Sequence, residues 1–247
     1  MTKFLEHPGM HGFLKISGTI TNLKKCRKAA SFLFTARDQK NIQIGAIASA
    51  FADITGQAAA LSHHASSMEE DADFVQFELD GRNVSGWLWG SPFQNGDCVE
   101  AAVRKHGERY ELFGLQNADE RVIALYPHCS RGSRSHYRLT FKGTVLANLI
   151  FFGLYFLVTI TLDDDKRPLT AQLIPGWEGA CILLGMFIFI TGSSLKIARK
   201  WMPFARLTEQ VLATLGFPEP SEIDLVKSSR GLRKATETDG SGIFFRY

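Results

Sequence analysis

The chain lacks most marks of an enzyme. Its 247 residues hold no Gly-rich phosphate cradle, no dinucleotide fingerprint and no nucleophile elbow, so nucleotide-dependent chemistry and elbow-type acyl transfer have no sequence support. The four cysteines, Cys26, Cys98, Cys129 and Cys181, have no paired spacing, which leaves neither a disulfide framework nor a Cys-x-x-Cys site. The opening MTKFLEHPGMHGFLK has no apolar run followed by a small-residue cleavage site, so no signal peptide is expected. A formal charge of +3 is too small to indicate a nucleic-acid partner, and none is expected.

Charge is also missing from two long stretches, and there the absence is informative. Gly143–Leu162 contains no charged residue, and Trp177–Leu195 contains only Glu178, at its start. Each is about as long as a helix needs to cross roughly 30 Å of hydrocarbon. The overall 45% hydrophobic and 21% charged residues conceal this, because polar flanks dilute the two runs. The alternative, two buried helices of a soluble core, is the weaker reading, since uncharged runs of this length are rare in such cores. Between the runs lies DDDKRPLTAQLIPG, too short for a domain, so the spans are expected to form an antiparallel hairpin. Arg131, Arg134, Arg138 and Lys142 precede the first span, and Lys196, Arg199, Lys200 and Arg206 follow the second. By the positive-inside rule both flanking regions face the cytoplasm, with Tyr137, Trp177 and Trp201 at headgroup depth. The cysteines of the cytoplasmic region are then expected as reduced thiols.

Ahead of the spans the pattern is β. FLKISGTITN reads as a first strand with Gly18 as a candidate bulge, followed by the basic Lys24–Lys28 stretch. Residues 41–61 have helical spacing at Ile44, Ile47, Phe51 and Ile54, and Asp53 argues against a third span. The run HHASSMEEDAD reads as a loop. DFVQFEL and NVSGWLWG flank the Asp80-Gly81 turn, a second hairpin turns at His106-Gly107, and RVIALY adds a strand. The expected fold is therefore α+β: an N-terminal small OB-like β-barrel with an inserted helix, a transmembrane helical hairpin and a C-terminal amphipathic helix. The expected layout is a barrel domain over 1–127, a basic connector over 128–142, spans over 143–162 and 177–195 joined by a loop over 163–176, a helical segment over 196–226 and a flexible tail over 227–247. In the helical segment Phe204, Leu207, Val211 and Leu215 share one face, Gly216 is a stop signal, and Ser221-Glu222-Ile223-Asp224 offers a short helix start.

Candidate chemistry is thin. His128, Cys129 and His136 could contribute to a metal site only with help from His63, His64 or His106, and zinc needs three or four well-placed ligands. Ser130 near His136 and Ser66 near His64 are the nucleophile candidates, without an oxyanion loop. Trp87, Trp89 and Phe77 could stack bases, but basic residues are not interleaved with them, so core packing is the stronger reading. No catalytic, cofactor-binding or metal residue is assigned. The partners expected from the residues are the lipid bilayer and a second copy through the hairpin, where Gly185 and Gly192 share a face and Gly153 and Ala147 stand opposite. Tight packing within one hairpin is the competing account of those glycines.

The segments ALYPHCSRG, ELDGRNVSGWLWGSPFQNGDCVE and LGFPEPSEIDLVKSS, with the FFRY end, resemble an uncharacterised bacterial family labelled as type VI secretion system effectors. The resemblance runs from about Asp73 onward. It implies a two-span protein of a Gram-negative inner membrane, engaged in contact-dependent competition, with a secretion component or a cognate toxin or immunity protein as partner. It supplies no catalytic residues. The expectation is a non-enzymatic membrane-targeting effector. The alternatives are its cognate immunity protein, or a membrane-anchored adaptor or assembly factor with an OB-like domain.

Overall fold

A computed structural model describes residues 12–30, 70–162, 176–232 and 244–247. The helix expected over 41–61 lies outside them, as do His63, His64 and Ser66. The chain divides into two compact units, Met1–Gly132 with Pro203–Tyr247, and Ser133–Met202.

In the first unit, alternating side chains build a closed five-stranded barrel. The strands are β1 (Leu14–Ala30), β2 (Glu70–Leu79), β3 (Arg82–Leu88), β4 (Cys98–His106) and β5 (Arg109–Asn117). β1 pairs antiparallel with both β2 and β4, and a parallel pairing of β3 with β5 closes the ring. Ile16, Ile20, Val75, Phe77, Val84, Val99, Val103, Leu112 and Leu115 fill the interior. At the β2–β3 turn Asp80 (φ 49) and Gly81 (φ 77) are both left-handed, as a two-residue hairpin demands. β6 (Val122–Leu125) pairs with Gly114–Asn117 of β5, beyond the stretch that β3 occupies.

Two strand expectations need correction. β1 does not end near Asn22 but continues through the basic stretch, and β2 begins at Glu70, inside the run read as a loop. Here Lys24–Ala30 pairs with β2 alone, and opposite charges face each other across the ribbon. Arg27 lies 3.3 Å from Asp73 and 4.0 Å from Asp71. Such cross-strand pairs offset the poor strand propensity of the charged residues. Gly18 is not a bulge either. It pairs in register with Val99, and a side chain there would meet the Asp80 carboxyl at 2.6 Å; the irregularity falls between Thr21 and Lys24.

Two long helices follow the barrel. α1 (Ser133–Leu162) starts ten residues ahead of the expected span, so most of the expected connector is helical. α2 (Gly176–Leu215) is a single element of 40 residues, about 60 Å long, where a span and a separate helical segment were expected. Pro203 lies inside it and removes one i→i−4 hydrogen bond, and the boundary between the compact units falls there.

Beyond Pro203 the amphipathic face packs on the barrel. Phe204, Val211, Leu212 and Leu215 are buried, and Gly114 on β5 has no room for a side chain because Val211 and Leu125 stand 2.5 and 2.8 Å from where a Cβ would lie. The Lys15 ammonium and the Gln116 amide donate to the Leu215 carbonyl. Gly216 (φ 93) ends the helix as expected, with Phe217 N–H bonded to Leu212 C=O at 3.0 Å. A 3-10 turn (Pro220–Glu222) leads to α3 (Leu225–Leu232), capped by the Asp224 carboxylate accepting from Lys227 N–H. The chain ends in β7 (Phe245–Arg246) on the edge of β6.

Candidate functional site

The chemistry that the sequence brought forward lies at the connector after β6 and on the pair of long helices; the outer face of β5 adds a group that the sequence did not mark.

The connector Tyr126–Gly132 is strapped by backbone. Gly132 N–H donates to Ile223 C=O, Leu225 N–H donates to Ser130 C=O, and Arg131 pairs with Asp224 at 3.1 Å. The Pro220 carbonyl and, at 2.5 Å, the Ser221 carbonyl occupy the space a Gly132 side chain would need. Neither oxygen can swing aside. Gly132→Ala is therefore expected to cost about 1–3 kcal/mol, read as a lower denaturation midpoint of the detergent-solubilised protein.

Within the strap the candidate ligands point elsewhere. Cys129 is fully buried, its thiol donates toward Phe204 C=O at 3.7 Å, and burial pushes it up to about 12, partly offset by a hydrogen bond with Thr208. A neutral, enclosed thiol is neither a nucleophile nor a ready ligand. His128 (φ 65) lies between the rings of Trp89 at 5.5 Å and Phe204 at 5.0 Å. Ser130 belongs to this unit, whereas His136 belongs to the helical unit, where Nε2 meets the Ala198 carbonyl at 3.1 Å. Among the described residues no three His, Cys, Asp or Glu side chains gather to hold a metal. The aromatic trio is also separated: Phe77 faces the barrel core, while Trp87 packs against Phe74 at 5.1 Å.

Sequence reasoning passed over Glu111. Its position in Tyr110-Glu111-Leu112-Phe113 marks it as outward-facing, but nothing local shows that the outer face of β5 is covered. One of its carboxyl oxygens is buried with no hydrogen-bond partner among the described residues. Burial raises its pKa to about 8, only partly opposed by Arg104, whose guanidinium lies over Phe13 and Phe113. Burial also pushes the Tyr126 hydroxyl up, with Cys129 and Glu111 adding to the shift. Because the folded state holds the Glu111 proton more tightly than the unfolded chain does, the contribution of this group to stability is most favourable at low pH and is lost as pH rises from the ordinary carboxylate range through about 8. Glu111→Gln is expected to raise the melting temperature at pH 8–9 and change it little at pH 5, each kcal/mol being worth roughly 2–4 °C.

In the helical unit four polar side chains turn inward on their own helices. Thr140, Thr144 and Asn148 donate to the carbonyls of His136, Thr140 and Thr144, and Ser194 donates to that of Ile190. The large apolar side chains do the reverse: Leu149 is 65% exposed and Phe189 67%. Of the most apolar window, 6% is buried in α1 and 0% in α2, where core helices of a soluble protein would be mostly covered. Nor do the three glycines make close approaches within the hairpin. Among the described residues nothing lies within 4 Å of where a Cβ would stand on Gly153, Gly185 or Gly192.

Fold and geometry define the class: an α+β chain in which a closed five-stranded barrel precedes two helices long and apolar enough to cross a membrane. No protein-family model, no curated protein and no solved structure matches the chain.

Proposed function

We propose that the protein is a non-enzymatic, two-span inner-membrane protein whose hairpin anchors an OB-like barrel at the cytoplasmic face, where the barrel acts by binding another protein. The observation that carries this reading is the uncovered apolar surface of both long helices. The closed five-stranded barrel, in which consecutive β3 and β4 are not paired, supports the OB-like assignment. Cationic flanks at both ends of the hairpin support the cytoplasmic side for the barrel. In the type VI secretion setting that the resemblance implies, a binding protein of this kind is an immunity protein or an adaptor.

The effector reading asks the hairpin to open a path for water or ions. Thr140, Thr144, Asn148 and Ser194 donate to their own helices, which weakens that reading in favour of an anchor. Expression in a naive bacterial host separates the two. Normal growth and an unchanged membrane potential are expected, whereas depolarisation on induction would make the hairpin the acting part and the effector reading correct.

A further inference from the structure

A groove of about 600 Å³ runs between α1 and α2 within the helical unit. Tyr137, Phe141, Val145 and Leu149 line it from α1, and Phe187 and Leu195 from α2. From Tyr137 to Phe152, its last residue on α1, the groove follows fifteen residues of helix, about 22 Å. That exceeds the roughly 15 Å half-thickness of a hydrocarbon core. Cations continue both walls at one end. Arg134 and Arg138 each stand three residues ahead of a lining residue, Tyr137 and Phe141, and Arg199 stands four beyond Leu195, so all three share the groove's helical faces. All three are exposed.

We infer that this groove holds an acyl chain of an anionic phospholipid whose phosphate meets Arg134, Arg138 and Arg199. The inference rests on the membrane reading above and adds a specific lipid to it. Charge selects this occupant over a second copy of the chain. A second hairpin in the same orientation would bring its own three arginines to the same level, and like charges repel. What a second copy offers in return is a partner for Asn148 Oδ1 and Thr191 Oγ1, which are buried in the groove without hydrogen-bond partners. Such a bond inside a bilayer is worth about threefold in affinity, against about fivefold for each guanidinium near an anionic surface. The headgroup contribution is the larger.

The test reconstitutes the full chain into phosphatidylcholine vesicles with a trace of spin-labelled phosphatidylglycerol or spin-labelled phosphatidylcholine, and reads the motionally restricted fraction. Phosphatidylglycerol is expected to be preferred by roughly fivefold per arginine at low salt, and less as salt is raised. The R134Q/R138Q/R199Q variant is expected to lower that ratio severalfold, leaving the part due to the remaining flanking lysines. Val145→Trp, which fills the groove and leaves the arginines, is expected to reduce the restricted fraction of both lipids. Equal restriction of both lipids by the unaltered protein, or an undiminished preference in the triple arginine variant, would overturn the inference alone. Loss of the restricted fraction in Asn148→Ala together with conversion of a dimer to a monomer would overturn it in favour of a second copy. Failure of the protein to enter vesicles at all would remove the membrane reading with it.

Discussion

Arginine at both Leu154 and Leu184 is expected to remove the protein from the membrane fraction. Each leucine lies near the middle of a span with more than half its surface uncovered, 57% for Leu154 and 59% for Leu184. In hydrocarbon each arginine costs about 2.5–3.5 kcal/mol, and the pair together lowers the insertion equilibrium by more than about a thousandfold. The opposite environment makes the opposite forecast. Were these helices bathed in water, two exposed leucines could be exchanged within about ±0.5 kcal/mol each, and solubility would improve. Carbonate-washed membranes probed by immunoblot distinguish the two. A double variant that stays in the washed membrane, or an unaltered protein found in the soluble fraction, would contradict the anchor.

The second large effect belongs to the barrel unit. Phe245→Ala is expected to destabilise the barrel unit by about 3–5 kcal/mol, because the ring is 2% exposed and leaves a cavity on removal. Its strand is only two residues long, yet it is held on several sides. Arg246 N–H donates to the Ser229 hydroxyl at 2.8 Å, Ser228 donates to Arg246 C=O at 3.0 Å, and Tyr247 N–H donates to Arg121 C=O at 3.2 Å. The Tyr247 ring meets Phe217 at 4.7 Å. Arg246→Ala keeps all three backbone bonds and is expected to change stability by less than about 1 kcal/mol. Denaturant unfolding of the two variants in detergent, followed by tryptophan fluorescence, measures the contrast. Equal midpoints would mean that the chain end is not part of the folded unit.

That chain end shows where sequence reading stops. The run 227–247 looks polar with an apolar tip, and only the position of the β6 edge and of Ser228 and Ser229 tells the tip where to dock. Long-range pairing of this kind leaves no periodicity to read. The Lys24–Lys28 stretch failed for a related reason: its strand character comes from Asp71 and Asp73 opposite, more than forty residues away. Local signals fared better. Asp80-Gly81 and the stop at Gly216 each depend on the backbone of a few neighbouring residues and stand where the sequence puts them, whereas the helix start offered over 221–224 begins only after Asp224, which caps it. The two apolar helices were legible because runs of about twenty residues with at most one charge carry their own explanation. Their merger with flanking helix was not, since the cations Lys196, Arg199 and Lys200 end the apolar run while helical phase continues through them. At the connector, residue types suggested chemistry that packing removes: Cys129 and His128 are adjacent in sequence, yet one thiol is sealed and one ring packs at a steep angle against Trp89 and Phe204. Glu111 was invisible for the converse reason, because its burial is created by residues brought in from elsewhere in the fold.

The central claim is that the hairpin crosses the membrane and leaves the barrel inside. The barrel carries two exposed thiols, Cys26 and Cys98, and the connecting loop accepts a third by Thr170→Cys, with Cys181 replaced by serine to keep the span silent. Intact spheroplasts treated with a membrane-impermeant maleimide provide the measurement. Labelling of the loop cysteine alone, with Cys26 and Cys98 reacting only after lysis, is the predicted result. Labelling of Cys26 and Cys98 from outside, while Thr170→Cys stays protected, would contradict the account.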